Sequence, residues 1–176
     1  MLNKNLFNGN WEISRQIINY EGDQPSAIAR GTATFYRQSE ATFLLHENVT
    51  VDWTNGTTSL ATRSYLFKQT DNALLQYRFT RPINLLKNKQ LDPTTMYEKI
   101  LMHKLILQES KNKSALSSDT NSQCKAPVTW YNSLHYCGKD QYILSFKILS
   151  QDSFLMNYKI YGPVKNSYIH KKYTRE

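Results

Sequence analysis

Residues 10–18 read Asn-Trp-Glu-Ile-Ser-Arg-Gln-Ile-Ile. Their apolar positions step by two, so an extended chain puts Trp11, Ile13 and Ile17 on one side and Glu12, Ser14 and Gln16 on the other. A helix would scatter the same residues around its axis. The stretch therefore reads as a half-buried strand, and Arg15 falls on its apolar side.

The same period runs through most of the 176 residues. Gly31, Ala33 and Phe35 share a face in "ARGTATFYR". "ATFLLHENVTVDW" gives a strand through Phe43 to His46 and a second from Val49 to Trp53, followed by an Asn-Gly turn. Ala61, Arg63, Tyr65 and Phe67 align in the next run, then Leu75, Tyr77, Phe79 and Arg81. "TWYNSLHYC", "DQYILSFKIL", "SFLMNYKIYG" and "SYIHKKYTR" read as further strands. Short strands with polar turns between them predict an all-β fold, an antiparallel barrel formed by residues 1–176 as one domain. An aromatic share of 12%, with twelve tyrosines, suits pleated surfaces.

One region breaks the period. Asp92 before Pro93 has the chemistry of a helix start, and Met96, Tyr97, Ile100, Leu101, Lys104 and Leu105 recur at helical spacing. A helix is expected over 92–110, followed by a polar, mobile loop over 111–127, the two forming an insertion at about 88–128.

The net charge of +8 makes an anionic partner plausible: nucleic acid, acidic lipid headgroups or a phosphorylated small molecule. No RNA-binding signature is present, and Lys171-Lys172 reads as a solvated surface pair, which argues against nucleic acid. The opening "MLNKNLFNGNW" carries no apolar signal core, and no run approaches the roughly 18 apolar residues of a membrane span. Two cysteines, Cys124 and Cys137, do not make a disulfide framework. A soluble cytoplasmic protein is expected, in which the glycosylation triplets at Asn48 and Asn55 have no meaning.

Alternation places Arg15, Arg63 and Arg81 on faces that otherwise look buried. An unpaired buried arginine costs several kcal/mol or more, so three readings stand. The faces are misassigned; or the arginines pair with Glu12, Glu47 or Asp140; or the interior is a wet cavity whose arginines hold an anionic ligand. Residues 132–142, "NSLHYCGKDQY", bear on the choice. His135 and Cys137 share a strand face, Gly138-Lys139 is a turn, and Tyr142 begins the next strand. His-x-Cys supplies at most two ligands on one side, so no metal site is assigned. A Cys-His nucleophile pair would lack an orienting third group. His135 and Tyr142 are left as candidates for a shared interior.

Taken in order, these stretches resemble an uncharacterised, mostly bacterial family of unknown function. The motif positions are Gly9, Trp11 and Arg15; Gly31, Ala33 and Phe35; Glu47; Arg63 and Tyr65; His135, Cys137, Asp140 and Tyr142; Gly162, Pro163 and Lys165; Tyr173 and Arg175. Residues 85–130 fall outside these motifs, and Asn84 stands where the family usually has a histidine. The resemblance implies no activity; it implies that these positions form one site or one core. A looser likeness to lipocalin-like (calycin) barrels implies that Arg175 covers Trp11 and closes one end by cation–π contact.

The expectation is a lipocalin-like barrel of roughly eight to ten strands with a helical insertion. It binds a small anionic molecule through Arg15, Arg63, Arg81, Tyr65, His135 and Tyr142, without a cofactor. The alternatives are an enzyme using the same cavity, with His135 as acid or base and Tyr142 and Lys165 assisting, or an interaction protein using the inserted helix. Composition does not give the oligomeric state.

Overall fold

The computed structural model describes residues 7–22, 24–81, 83, 90–91, 99–108, 129–163 and 165–176. They form ten strands: β1 (Gly9–Asn19), β2 (Pro25–Arg37), β3 (Thr42–Trp53), β4 (Thr58–Gln69), β5 (Ala73–Phe79), β6 (Lys99–Gln108), β7 (Thr129–Cys137), β8 (Asp140–Ser150), β9 (Ser153–Tyr161) and β10 (Ser167–Arg175). Each pairs antiparallel with the next in sequence, and β10 returns to pair with β1, closing the barrel. Full closure leaves no free sheet edge at the seam. Among the described residues no helix is long and apolar enough to cross a membrane.

Two expectations are corrected. The helix over 92–110 is not seen: Lys99–Gln108 is β6, paired with β5 and β7. Ile100, Leu101 and Ile106 are exposed on this strand while His103 and Leu105 are buried. Apolar residues on both faces erase the alternation and leave the helical spacing as the stronger signal. The region is thus no appendage, because closure runs through β6. Residues 92–98 and the loop expected over 111–127 lie outside the described residues.

The second correction concerns residues 42–53, which form one continuous strand rather than two. The apparent break is Glu47, a carboxylate on the inward face between Leu45 and Val49.

Inward faces fill the closed end with rings. Phe7 lies 5.2 Å from Phe35 and 5.3 Å from Phe43, Trp11 packs edge-on to Phe154 at 5.0 Å, and Phe154 stacks on Tyr173 at 4.3 Å. These rings bury fully and are among the largest side chains of the core. Gly31 lets β2 approach β3, since any side chain there would strike the carbonyl oxygen of Asn48. At Gly162 a side chain would meet the Asp140 carboxylate, which would have to move aside.

Candidate functional site

Arg175 lies across Trp11, its guanidinium carbon 4.4 Å from the ring centroid. The same side chain donates to the Asn8 carbonyl at 2.9 Å, to Asp152 Oδ1 at 3.0 Å and to the Gln151 carbonyl at 3.3 Å. A planar cation with several donors can cover a ring and tie three loop groups together. Among the described residues this end of the barrel is filled by the packed rings around Trp11.

Moving two residues along β1 from Ile13 changes the chemistry. Arg15 faces inward at 5% exposure and donates from Nη2 to Glu47 Oε2 at 2.6 Å. Glu47 is wholly buried and also accepts from Lys171 Nζ at 3.1 Å and the Tyr173 hydroxyl at 2.5 Å. Lys171, 2% exposed, rests over Tyr65 and Tyr158, 5.4 and 5.5 Å from their centroids. Burial alone would raise the Glu47 pKa, but Lys171, Arg15 and the Tyr173 hydroxyl outweigh it and hold the carboxyl below its ordinary value. Burial and the neighbouring carboxylate push the Tyr173 phenol well up, so it stays a donor.

Above this network is a cavity of about 130 Å³, lined by Arg15, Arg63, Lys171, Tyr65, Tyr142, Tyr158, Gln76 and His103, with Ile17, Met102, Ile160 and Ile169. The buried charges here are Arg15, Lys171 and Glu47, two cations against one anion. Arg63 joins from β4 on the inward face but is itself exposed. Its pKa is raised, first by Tyr65. Arg15 Nε is buried and has no hydrogen-bond partner among the described residues. Gln76 Nε2 donates to the Tyr158 hydroxyl at 3.3 Å. His103 is buried, its Nδ1 lies 3.3 Å from Ser133 Oγ, and its ring is 5.6 Å from that of His135. Desolvation, then the neighbouring His135, lowers the His103 pKa to about 4, so the ring is neutral at pH 7.

The sequence-derived candidates separate. Arg15, Arg63, Tyr65 and Tyr142 meet at this cavity. His135 does not line the cavity itself; it is paired with Tyr142 across the β7–β8 ladder, the rings 6.4 Å apart, and adjoins His103 at 5.6 Å. Arg81 does not lie on an inward face. It follows β5, is exposed, and lines a larger, more open cavity of about 610 Å³ with Arg63, Arg78 and His46. That cavity opens where β4 and β5 part, their ladder covering only Tyr65–Gln69. Its size does not make it the stronger site, because its arginines at 78 and 81 are exposed, whereas the buried guanidinium donor without a partner among the described residues, Arg15 Nε, belongs to the inner cavity. Lys165 is exposed at a separate surface depression beside Glu21 and Asn166. Cys137 is an exposed thiol, and no cluster of three His, Cys, Asp or Glu side chains occurs among the described residues.

Lys171, Gln76, Tyr158 and His103 were not identified from the sequence. The signal for Lys171 was present: Ile169, Tyr173 and Arg175 share a strand face, and position 171 belongs to it. Reading Lys171-Lys172 as a surface pair set that period aside. His103 was hidden by the helical reading of β6.

The barrel is similar in fold to the S-type phycobiliprotein lyase CPES from Guillardia theta, at 7% identity and a TM-score of 0.51, covering 97% of this chain and 89% of that one. It also aligns with a de novo designed fluorescence-activating β-barrel, at 10% identity and a TM-score of 0.40, covering 98% and 96%. No curated protein matches in sequence. The sequence matches the Family of unknown function (DUF6314) over residues 7–175, including residues 85–130 that the motifs leave uncovered, and the chain belongs to that family.

Proposed function

We propose that the protein is a small-molecule-binding barrel, cytoplasmic in location, whose inner cavity takes an anion. The observation that carries this is Arg15 Nε, a buried guanidinium donor without a partner among the described residues, at a cavity where cations outnumber Glu47. A buried donor left unmade costs roughly 1–3 kcal/mol, and a ligand oxyanion would satisfy it. Arg63, exposed and adjacent, suits the role of an anion clamp that folding does not need. Arg15 has a double role, with Nη2 committed to Glu47 and Nε left to the cavity. The enzyme alternative, with His135 as acid or base, has His135 one ring removed from the lining. The nearer His103 is too weakly basic to take a proton at neutral pH. Binding is the better-supported reading.

The test is thermal stabilisation by anions. Wild-type protein should melt higher in millimolar inorganic phosphate or small carboxylates. Arg63→Ala should melt near wild type and lose that gain. A collapse of stability in Arg63→Ala, with no anion shifting the wild-type melting point, rejects the pocket.

A further inference from the structure

The cavity is layered. At its floor stand Arg15 and Lys171, inward-facing and paired directly across the β1–β10 seam. Two residues nearer the open end stand Ile17 and Ile169, with Tyr158 opposite Ile169 on β9 and Ile160 one inward step beyond it. Strand period two makes Ile17 and Ile169 the next inward layer. They pair directly across the same seam, and both are only half-buried. Met102 of β6 adds a fourth apolar wall, at the point where the β5–β6 register slips. The site is therefore cationic at depth and aliphatic at the mouth. That sequence of layers opposes the usual preference for charge near water and greasy groups inside.

The charge count adds a second constraint. Arg15, Lys171 and Glu47 leave one uncompensated positive charge in the buried set. A carboxylate carries one negative charge at pH 7 and balances it. A phosphate monoester carries about −1.5 to −2, so its second charge would rest on the exposed Arg63, and a bare phosphate would leave the isoleucine walls unmet. Arg15 Nη2 holds Glu47, while its buried Nε has no partner among the described residues and is left to a ligand oxygen. The volume, about 130 Å³, equals the share of about four waters, enough for a head group and a short body but not a nucleotide.

We infer that the ligand is an amphipathic monocarboxylate, bound head-inward on Arg15 and Arg63 with its apolar body running past Ile17, Ile160 and Ile169 to the open end. This rests on the anion-binding reading and goes further in fixing polarity and charge. Titration calorimetry with acetate, butyrate, hexanoate and inorganic phosphate tests it. Each methylene that enters the isoleucine layer should tighten Kd by roughly fourfold, so hexanoate should exceed acetate by more than tenfold. The double variant Ile17→Ala, Ile169→Ala, at half-buried positions that tolerate the change, should flatten the series while leaving acetate nearly unaffected. Arg63→Ala should weaken every member. Should affinity stay flat from acetate to hexanoate, or phosphate bind as tightly as hexanoate, the amphipathic monocarboxylate is overturned while anion binding stands. A rising series that persists unchanged in Arg63→Ala overturns the head-inward orientation. No binding by any of the four removes the anion reading itself, and this inference with it.

Discussion

The two halves of this barrel use the same alternation for opposite ends. Toward the closed end the inward positions are Trp11, Phe35, Phe43, Phe67, Phe146 and Phe154, which interlock. Toward the open end the inward positions are Arg15, Glu47, Arg63, Lys171 and Tyr158, and a cavity remains among them. The sheet is antiparallel and closed through both, and β1 and β10 stay in register from Trp11 to Asn19. What differs is whether the inward side chains carry charges that the chain must balance. Rings meet rings, whereas two buried cations meet one carboxylate.

That contrast breaks first at Glu47. Glu47→Ala leaves Arg15 and Lys171 buried without a counter-charge and should cost about 3–5 kcal/mol in urea denaturation. Phe154→Ala in the closed half should cost a similar amount, but through a void rather than a stranded charge. Lys171→Met sharpens the distinction. It leaves Arg15 and Glu47 as a balanced pair and should cost well under the Glu47 variant; an equal loss would mean that all three act as one indivisible unit.

Next in size is a pH effect. The folded pKa of His103 is lowered to about 4 from 6.5, so below 6.5 the unfolded chain binds the proton first. Stability from this group is complete above pH 6.5 and drains away down to about pH 4, by roughly 3 kcal/mol. Glu47 adds its own loss lower still, because a carboxyl held below its ordinary value contributes above that value and fails as pH falls through the folded one. His103→Gln should flatten the melting-temperature profile between pH 6.5 and 4. An unchanged profile would place the titration elsewhere.

Arg175→Ala comes after these. It removes a half-exposed cation from Trp11 and three hydrogen bonds at the rim, and should cost about 1–2 kcal/mol without touching anion binding. Arg63→Ala is expected to be the smallest in stability, within about 0.5 kcal/mol, and the largest in binding. A variant series in which stability and binding fell together would erase the distinction between the halves.

Period two made the barrel legible before its geometry was known, and it put Arg15 and Arg63 inside. It could not say that Glu47, rather than Glu12 or Asp140, answers Arg15, because cross-strand registers are set by turns far away in the chain. Glu47 pairs across the ladder with Arg63 and Ala33, and reaches Arg15 and Lys171 over the interior. The alternation misled at β5, where Leu74 and Gln76 face inward, so the run Leu75, Tyr77, Phe79 and Arg81 follows the outward face. It failed at β6 because that strand is apolar on both sides. Asp140 was singled out as a possible partner for the arginines; its side chain lies instead against Gly162.

The Lys171–Glu47 contact also joins residues 124 apart in sequence. Glu47 sits on the third strand to leave the ribosome, whereas Lys171 and Tyr173 arrive on the tenth. Until then its carboxylate lacks Lys171 and Tyr173 and has Arg15 and the ladder partner Arg63, and β1 and β9 both present bare edges. Such non-local closure slows folding and exposes sticky intermediates. A nascent chain of this protein is thus predicted to stay open until β10 emerges, and truncation before Ser167 should yield aggregate rather than a nine-stranded product.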